Sequence, residues 1–395
     1  MEFQRKQFGT VLSRIEEPRG KIQVIIGPRQ VGKSTLMDQV LAKTTIPYTL
    51  AKADNVDPQD INWIKRVWES ARGTMTAKKQ PEHLLVIDEI QKILRWSEAV
   101  KEEWDWDCSK QVPLKVVLLG SSRLMIQSGL SESLAGRFEL IRMGHWSLDE
   151  MQTAFGFTLD QYMYFGGYPG AAQFASDETR WKRYIKDGII TPAVEQDIKL
   201  TANIYKPVLM TRLFHLSSAY SSQELSLNKM LGQLQDVGNV TTLASYLGIL
   251  EQCQLVCGLQ KYANDEARKY NSSPKYQVFN NALMTANSRG KYEAIRSDAD
   301  KWGRWVESAI GAHLLSAAEE NDYKVFYWRE RDEEVDYIVA TDDGCVAFEV
   351  KSGRRKMNSG MKDFADAFHP IRSYIIGTGG VSFEDFLKTD VTDWL

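Results

Sequence analysis

No run of about 18 apolar residues occurs in this 395-residue chain, so a membrane-spanning helix is not expected. The start, MEFQRKQFGTVLSR, carries charges where a secretory signal needs an apolar core, and the chain reads as cytoplasmic. Cysteine is scarce: of Cys108, Cys253, Cys257 and Cys345, the pair Cys253/Cys257 has no second pair to complete a zinc site. All four read as reduced, structural thiols. Neither charge sign is in excess, because 49 Lys and Arg against 52 Asp and Glu leave a net charge of -3. That excludes a polycation built to coat nucleic acid, and any such contact must come from a local patch. No repeat of solenoid period and no low-complexity tract is present. With 43% hydrophobic and 26% charged residues, fibrous, disordered and small disulfide-rich classes are excluded too, and the length suits two or three domains.

What is present begins with short, continuously apolar runs at 22–27, 84–89, 115–122 and 138–144, with a weaker one at 48–54, separated by helical stretches. Strands buried on both faces read this way, so residues 1–150 are expected to form an α/β domain with a parallel sheet. Helical periodicity dominates 151–290, expected as a helical lid and a winged helix. The latter has a helix over 227–237, a turn at Gly238-Asn239, a second helix after Thr241-Thr242, and apolar runs at 254–262 and 275–280 that read as a hairpin. Residues 291–395, a helix followed by KVFYWRE, EVDYIVA, CVAFEVKS and SYIIGT, make a third unit of α/β character.

Gly27-Pro28-Arg29-Gln30-Val31-Gly32-Lys33-Ser34 fits GxxxxGK[ST] between a buried strand and a helix that opens at Thr35. Glycine at 27 and 32 lets backbone amides curl around a triphosphate, Lys33 supplies charge to its β- and γ-phosphates, and Ser34 can ligate Mg²⁺. LLVIDE ends an apolar strand in Asp88, suited to hold the same Mg²⁺, and in Glu89, suited to polarise the attacking water. A solvated strand-end charge is the alternative for Glu89. VVLLGSS ends in Ser121 and Ser122, the latter a candidate near the γ-phosphate. Arg137, in AGRFE, is either a surface salt-bridge partner or an arginine that reaches a neighbouring subunit's nucleotide.

Phosphate loop, LLVIDE, GSS and AGRFE, in that order, resemble an AAA+ ATPase. With GPRQVGKSTL and the turn FGGYPGA at 165–171, the chain is similar to a prokaryotic group of AAA+ ATPases in which a winged helix and a restriction-endonuclease-like domain follow the core. The resemblance implies sheet order 5-1-4-3-2, bound ATP and Mg²⁺, and hydrolysis completed in a homo-oligomer through Arg137. No motif places a second sensor arginine; Arg180 and Arg183 are the candidates.

In the third unit, Glu349 and Lys351 share one face of a strand, and a paired strand can bring Asp336 beside them. Two carboxylates and a lysine suit Mg²⁺ and phosphodiester chemistry, and the pattern resembles the PD-(D/E)xK nucleases. Glu307 matches the extra acid such folds carry. A hairpin with surface charges is the alternative. Residues 351–362, with Lys351, Arg354, Arg355, Lys356 and Lys362 and no acid, are a candidate nucleic-acid contact or a solvated loop. The expected second helix at 241–254 lacks any basic residue, which points the winged helix toward a protein partner rather than base edges.

Two functions follow as expectations. In the first, nucleotide state controls a nuclease-like module acting on nucleic acid. In the second, ATP drives a regulatory switch or scaffold that binds a protein partner and cuts nothing. Phosphorylation of a small molecule is disfavoured, since Asp88, Glu89 and Arg137 suit attack by water.

Overall fold

The computed structural model describes residues 3–120, 133–198, 204–234, 239–263, 272–353 and 360–395. Ser121, Ser122, Gly238 and the basic Arg354, Arg355 and Lys356 lie outside the described residues. The chain divides into two compact units, Met1–Met143 and Gly144–Leu395.

In the first unit, α1 (Phe8–Glu16) precedes β1 (Ile22–Ile26), and α2 (Lys33–Leu41) follows the glycine-rich turn. The chain continues through β2 (Tyr48–Lys52), α3 (Asn62–Ala77), β3 (His83–Asp88), α4 (Trp96–Lys110), β4 (Leu114–Gly120) and β5 (Phe138–Arg142). The strands pair in parallel in the order β2-β3-β4-β1-β5, the order the resemblance implied. Every residue of the inner strands β1, β3 and β4 is buried, which accounts for their unbroken apolar runs. Edge strands β2 and β5 are only partly covered. Because the strands are parallel, the carboxyl ends of β1 and β3 lie on one edge, and the turn after β1 meets the end of β3 there.

Helices α3 and α4 contribute Trp68, Trp96 and Trp104 to the core, packed with Leu85, Ile87 and Leu118 of the sheet. The tryptophan-rich stretch is therefore mostly core; Trp106 is exposed. A buried polar knot ties the two helices together. Asp107 accepts hydrogen bonds from Trp68 Nε1 at 2.7 Å and Arg72 Nε at 2.7 Å, and Arg72 also pairs with Glu103 at 2.6 Å. Removing one member of such a knot leaves a buried charge without its partner, which costs about 3 kcal/mol or more. Asp107→Ala is expected to lose that much in urea unfolding, and an unchanged midpoint would show that the knot contributes nothing.

The second unit starts with α5 (Leu148–Phe155), α6 (Leu159–Phe165), α7 (Glu178–Ile185) and α8 (Pro207–Ala219). Capping boxes from Ser147 with Glu150 and from Thr158 with Gln161 open the first two. The FGGYPGA turn needs its glycines: Gly166 has φ +68°, and a Cβ there would come within 2.0 Å of Asn280 Oδ1. Next come β6 (Gln223–Glu224), α9 (Leu227–Leu234) and α10 (Val240–Gln252), capped by Asn239. An antiparallel hairpin follows, β7 (Val256–Leu259) with β8 (Lys275–Val278), and β6 completes a small sheet in the order β6-β8-β7. Leu243, Leu247 and Leu250 of α10 are buried as their spacing predicts. Tyr246 turns inward with them, and its hydroxyl accepts the Lys206 N–H at 3.0 Å.

The remainder is α11 (Asn281–Asn287), the long α12 (Ala299–Asn321) and a sheet of β9 (Lys324–Glu330), β10 (Glu333–Thr341), β11 (Gly344–Lys351) and β12 (Arg372–Gly377). Its order is β12-β11-β10-β9, antiparallel except between β11 and β12. Helices α13 (Gly360–Phe368) and α14 (Phe383–Lys388) flank it. Among the described residues no helix is long and apolar enough to cross a membrane.

Candidate functional site

Turning from β1 into α2 requires unusual backbone at two points. Gly32 has φ +94° and caps α2, while a Cβ on Gly27 would lie 2.2 Å from the Met143 carbonyl oxygen. Between them Gln30 also takes a positive φ of 59°. The loop so formed is held from two sides. Lys33 Nζ donates to the carbonyls of Gly27 at 2.9 Å and Pro28 at 2.7 Å. Arg5, buried, donates to the Val31 carbonyl at 2.8 Å.

Ser34 Oγ and Asp88 Oδ2 meet at 2.8 Å, joining the head of α2 to the end of β3. Glu89 follows in the left-handed region with φ +54°; its N–H donates to Asp88 Oδ1 at 2.9 Å, and its own Oε2 accepts from Gln91 Nε2 at 2.6 Å. The donors fit a magnesium nucleotide: a hydroxyl and a carboxylate side by side at a helix N-terminus, an ammonium over the loop, and a second carboxylate one residue on. Bound there, Mg²⁺ would neutralise phosphate charge. Ser34 and Asp88 would hold it, Gly27 to Gly32 would offer backbone amides to phosphate oxygens, and Glu89 would take a proton from water. Thr35 is exposed beside Ser34.

Arg137 lies elsewhere. The parallel register pairs Ile22 with Phe138 and Ile26 with Arg142, so Arg137 precedes β5 at the sheet edge opposite the phosphate loop. It forms a two-pronged pair with Asp105, Nε at 2.7 Å and Nη2 at 3.0 Å, and that hydrogen bond holds the Asp105 carboxyl below its usual range. Both side chains are about a third or more exposed, and such a surface pair contributes at most about 1 kcal/mol. In the second unit Arg180 lies over the Phe174 ring at 4.9 Å, and Arg183 is exposed.

The acidic pocket of the second unit is built differently from what the ExK pattern suggests. Asp336 Oδ2 accepts the Val350 N–H of β11 at 2.8 Å, beside Glu349, and Glu349 Oε1 pairs with Lys351 Nζ at 2.5 Å. These groups therefore do converge. Glu307 of α12 joins them through a residue that sequence reasoning missed, Lys275 of β8. Lys275 Nζ is 2.6 Å from Glu307 Oε1, 3.5 Å from Asp336 Oδ1, 3.2 Å from the Asp336 carbonyl and 4.8 Å from the centre of the Tyr337 ring. Lys275 is only 6% exposed. Burial works against its charge, but the carboxylates of Glu307 and Asp336 outweigh that and hold the ammonium well above its ordinary range. Burial pushes Glu307 up to about 8, opposed by Lys275, and pushes Glu349 up to about 7, with Asp336 adding to the push.

This pocket does not fit a divalent cation. Glu307 and Asp336 already meet Lys275, and Glu349 meets Lys351 through Oε1, although among the described residues its buried Oε2 has no hydrogen-bond partner. Among the described residues no group of three or more His, Cys, Asp or Glu side chains is arranged to hold a metal. A dication brought against a buried ammonium also meets repulsion that the low-dielectric surroundings strengthen.

Comparison with known sequences bears on the first unit most directly. Residues 19–152 match the AAA domain family. The matched segment contains the glycine-rich loop of residues 27–34, Asp88, Glu89 and Arg137. Residues 156–293 and 302–389 match two domains of unknown function, DUF8612 and DUF4143. Uncharacterized proteins of Mycobacterium tuberculosis and Mycobacterium bovis are each 25% identical over 357 residues, spanning 87% of this chain and 74% of theirs. Among solved structures, the ORC2 protein of Aeropyrum pernix aligns with 80% of this chain and 96% of its own at 13% identity and a TM-score of 0.44. A RuvB protein of Thermotoga maritima aligns with 64% of this chain and 85% of its own at 13% identity and a TM-score of 0.30. Scores this low support no statement about what this chain does.

The contacts of Arg5 with the Val31 carbonyl and of Gln91 with Glu89 were invisible in the sequence, since neither residue lies in a motif. Lys33→Ala and Ser34→Ala test the loop: nucleotide affinity measured by calorimetry with Mg²⁺ should fall at least tenfold in each. Unchanged affinity in both would remove this loop as the nucleotide site.

Proposed function

We propose that this protein binds and hydrolyses ATP at the Lys33, Ser34, Asp88 and Glu89 site, and that its nucleotide state governs assembly with a protein partner. The observation that supports this most is the Ser34–Asp88 hydrogen bond beneath Lys33, with Glu89 next in the chain. A carboxylate adjoining the metal acid is arranged for water attack rather than for transfer to an acceptor. Glu89→Gln should retain ATP binding and lose turnover by about two orders of magnitude, the usual scale for a general base. Normal turnover in that variant would remove Glu89 as the base.

Arg137 supports a homo-oligomer. At the sheet edge away from its own phosphate loop, it suits a neighbour's nucleotide, and its exposed pair with Asp105 is weak enough to exchange. Turnover per chain that is the same on dilution and in Arg137→Ala contradicts completion in trans.

The two helices α9 and α10 and the paired strands β7 and β8 are read as a winged helix whose second helix meets protein. Its buried side is Leu243, Tyr246, Leu247 and Leu250, and it carries no basic residue.

A second reading, in which ATP governs cleavage of nucleic acid, draws on Asp336, Glu349, Lys351 and Glu307. Lys275 weighs against it, and the non-cleaving reading is preferred. Incubating the protein with DNA or RNA, Mg²⁺ or Mn²⁺, and ATP or ADP decides between them. Loss of nucleic acid that the Glu349→Ala/Lys351→Ala variant lacks would restore the nuclease.

A further inference from the structure

The acidic pocket contains its own cation. We propose that the Lys275 ammonium, delivered by β8, permanently occupies the position between Glu307 and Asp336 where a divalent cation would sit, so that the native pocket takes up no metal and becomes a metal site only when that ammonium is removed. This deepens the non-cleaving reading of the second unit and is independent of ATP hydrolysis in the first.

Three features carry the inference. The first is delivery: Lys275 and Gln277 alternate on β8 and so point to one face, and both are buried. Gln277 fixes that face. Its Nε2 donates to the Ser308 carbonyl at 2.9 Å, and its Oε1 accepts from the Tyr337 hydroxyl at 2.8 Å, which also accounts for the placement of Tyr337 against the Glu307 carbonyl at 2.9 Å. While this network holds, the face of β8 that carries Lys275 is fixed toward α12 and β10.

The second is register. The pairing of β9 with β10 shifts between Val335 and Ile338, so Asp336 and Tyr337 fall at an irregular point where a foreign side chain can approach. Lys275 meets the strand at that point, touching the Asp336 carboxylate, the Asp336 carbonyl and the Tyr337 ring.

The third is charge. Glu307 and Asp336 face Lys275 while Glu349 faces Lys351, so with every group ionised the five side chains leave a single negative charge. Without Lys275 the Glu307 and Asp336 carboxylates would lose their counter-charge, and Glu349, on which Asp336 acts, adds a buried oxygen, Oε2, that has no hydrogen-bond partner among the described residues. Those are oxygen ligands of the kind hard divalent cations take.

Mn²⁺ binding to the full chain tests this, followed by electron paramagnetic resonance without nucleotide. Wild type, Asp336→Asn, Lys275→Met and Lys275→Met/Asp336→Asn are compared, with circular dichroism reporting that each is folded. Wild type and Asp336→Asn should bind the same amount of Mn²⁺, while Lys275→Met should gain one site per chain that Asp336→Asn abolishes. Mn²⁺ bound by wild type and lost in Asp336→Asn overturns the proposal, as does a folded Lys275→Met protein that gains no site. If Lys275→Met does not fold, the wild-type and Asp336→Asn pair still decides. Wild type that binds Mn²⁺ here yet cuts no nucleic acid would sink the lysine proposal and leave the non-cleaving reading intact, whereas cutting would sink both.

Discussion

A buried ammonium needs carboxylates around it, and Lys275 ties three elements of the second unit together by finding them. Glu307 comes from α12 and Asp336 from β10, while the lysine itself comes from the hairpin strand β8. The uncharged network beside it, Gln277 with Ser308 and Tyr337, repeats the same three-way link. Burying several polar groups is costly unless each is satisfied, so the small sheet, α12 and the four-stranded sheet must pack in one arrangement for these bonds to form. This is why the residues from Gly144 onward form one compact unit although their sequence patterns change near residue 290.

The two units use buried lysine in opposite ways. Lys33 donates to the carbonyls of Gly27 and Pro28 in a loop whose conformation depends on glycine, and phosphate oxygens compete well for such an ammonium. Lys275 sits on carboxylates inside a packed pocket, where removing it exposes like charges to each other. One lysine is placed to be shared with an anion, and the other is committed to the fold. The same contrast separates Asp88, whose neighbours Ser34 and Glu89 complete a set suited to a metal and water, from Asp336, whose oxygens are taken by the Val350 amide and Lys275.

Much of the first unit was legible because its signals are local. A parallel sheet buried on both faces writes continuous apolar runs, and a tight strand-to-helix turn requires glycine at fixed positions, so β1, α2 and the place of Asp88 and Glu89 at the end of β3 could be read directly. Asp336, Glu349 and Lys351 could be brought together by strand alternation alone. Lys275 could not: it lies in KYQVFN, which reads as an apolar strand, and its partners are 32 and 61 residues away. Arg5 and the Asp105 partner of Arg137 were hidden for the same reason, since long-range ion pairs and side-chain to backbone bonds leave no periodicity. Tyr246 lies on the buried side of its helix with Leu243, Leu247 and Leu250, and its hydroxyl accepts the backbone N–H of Lys206, a contact that no spacing announces.

The central claim is that, of the two acidic sites among the described residues, the one proposed to hold nucleotide takes a divalent cation and the one around Lys275 does not. Anomalous scattering from crystals grown with Mn²⁺ and a non-hydrolysable ATP analogue tests it most directly. The account predicts a peak between Ser34, Asp88 and the phosphates, and none among Glu307, Asp336 and Glu349. A peak in that acidic pocket, with Lys275 displaced from it, would contradict the account.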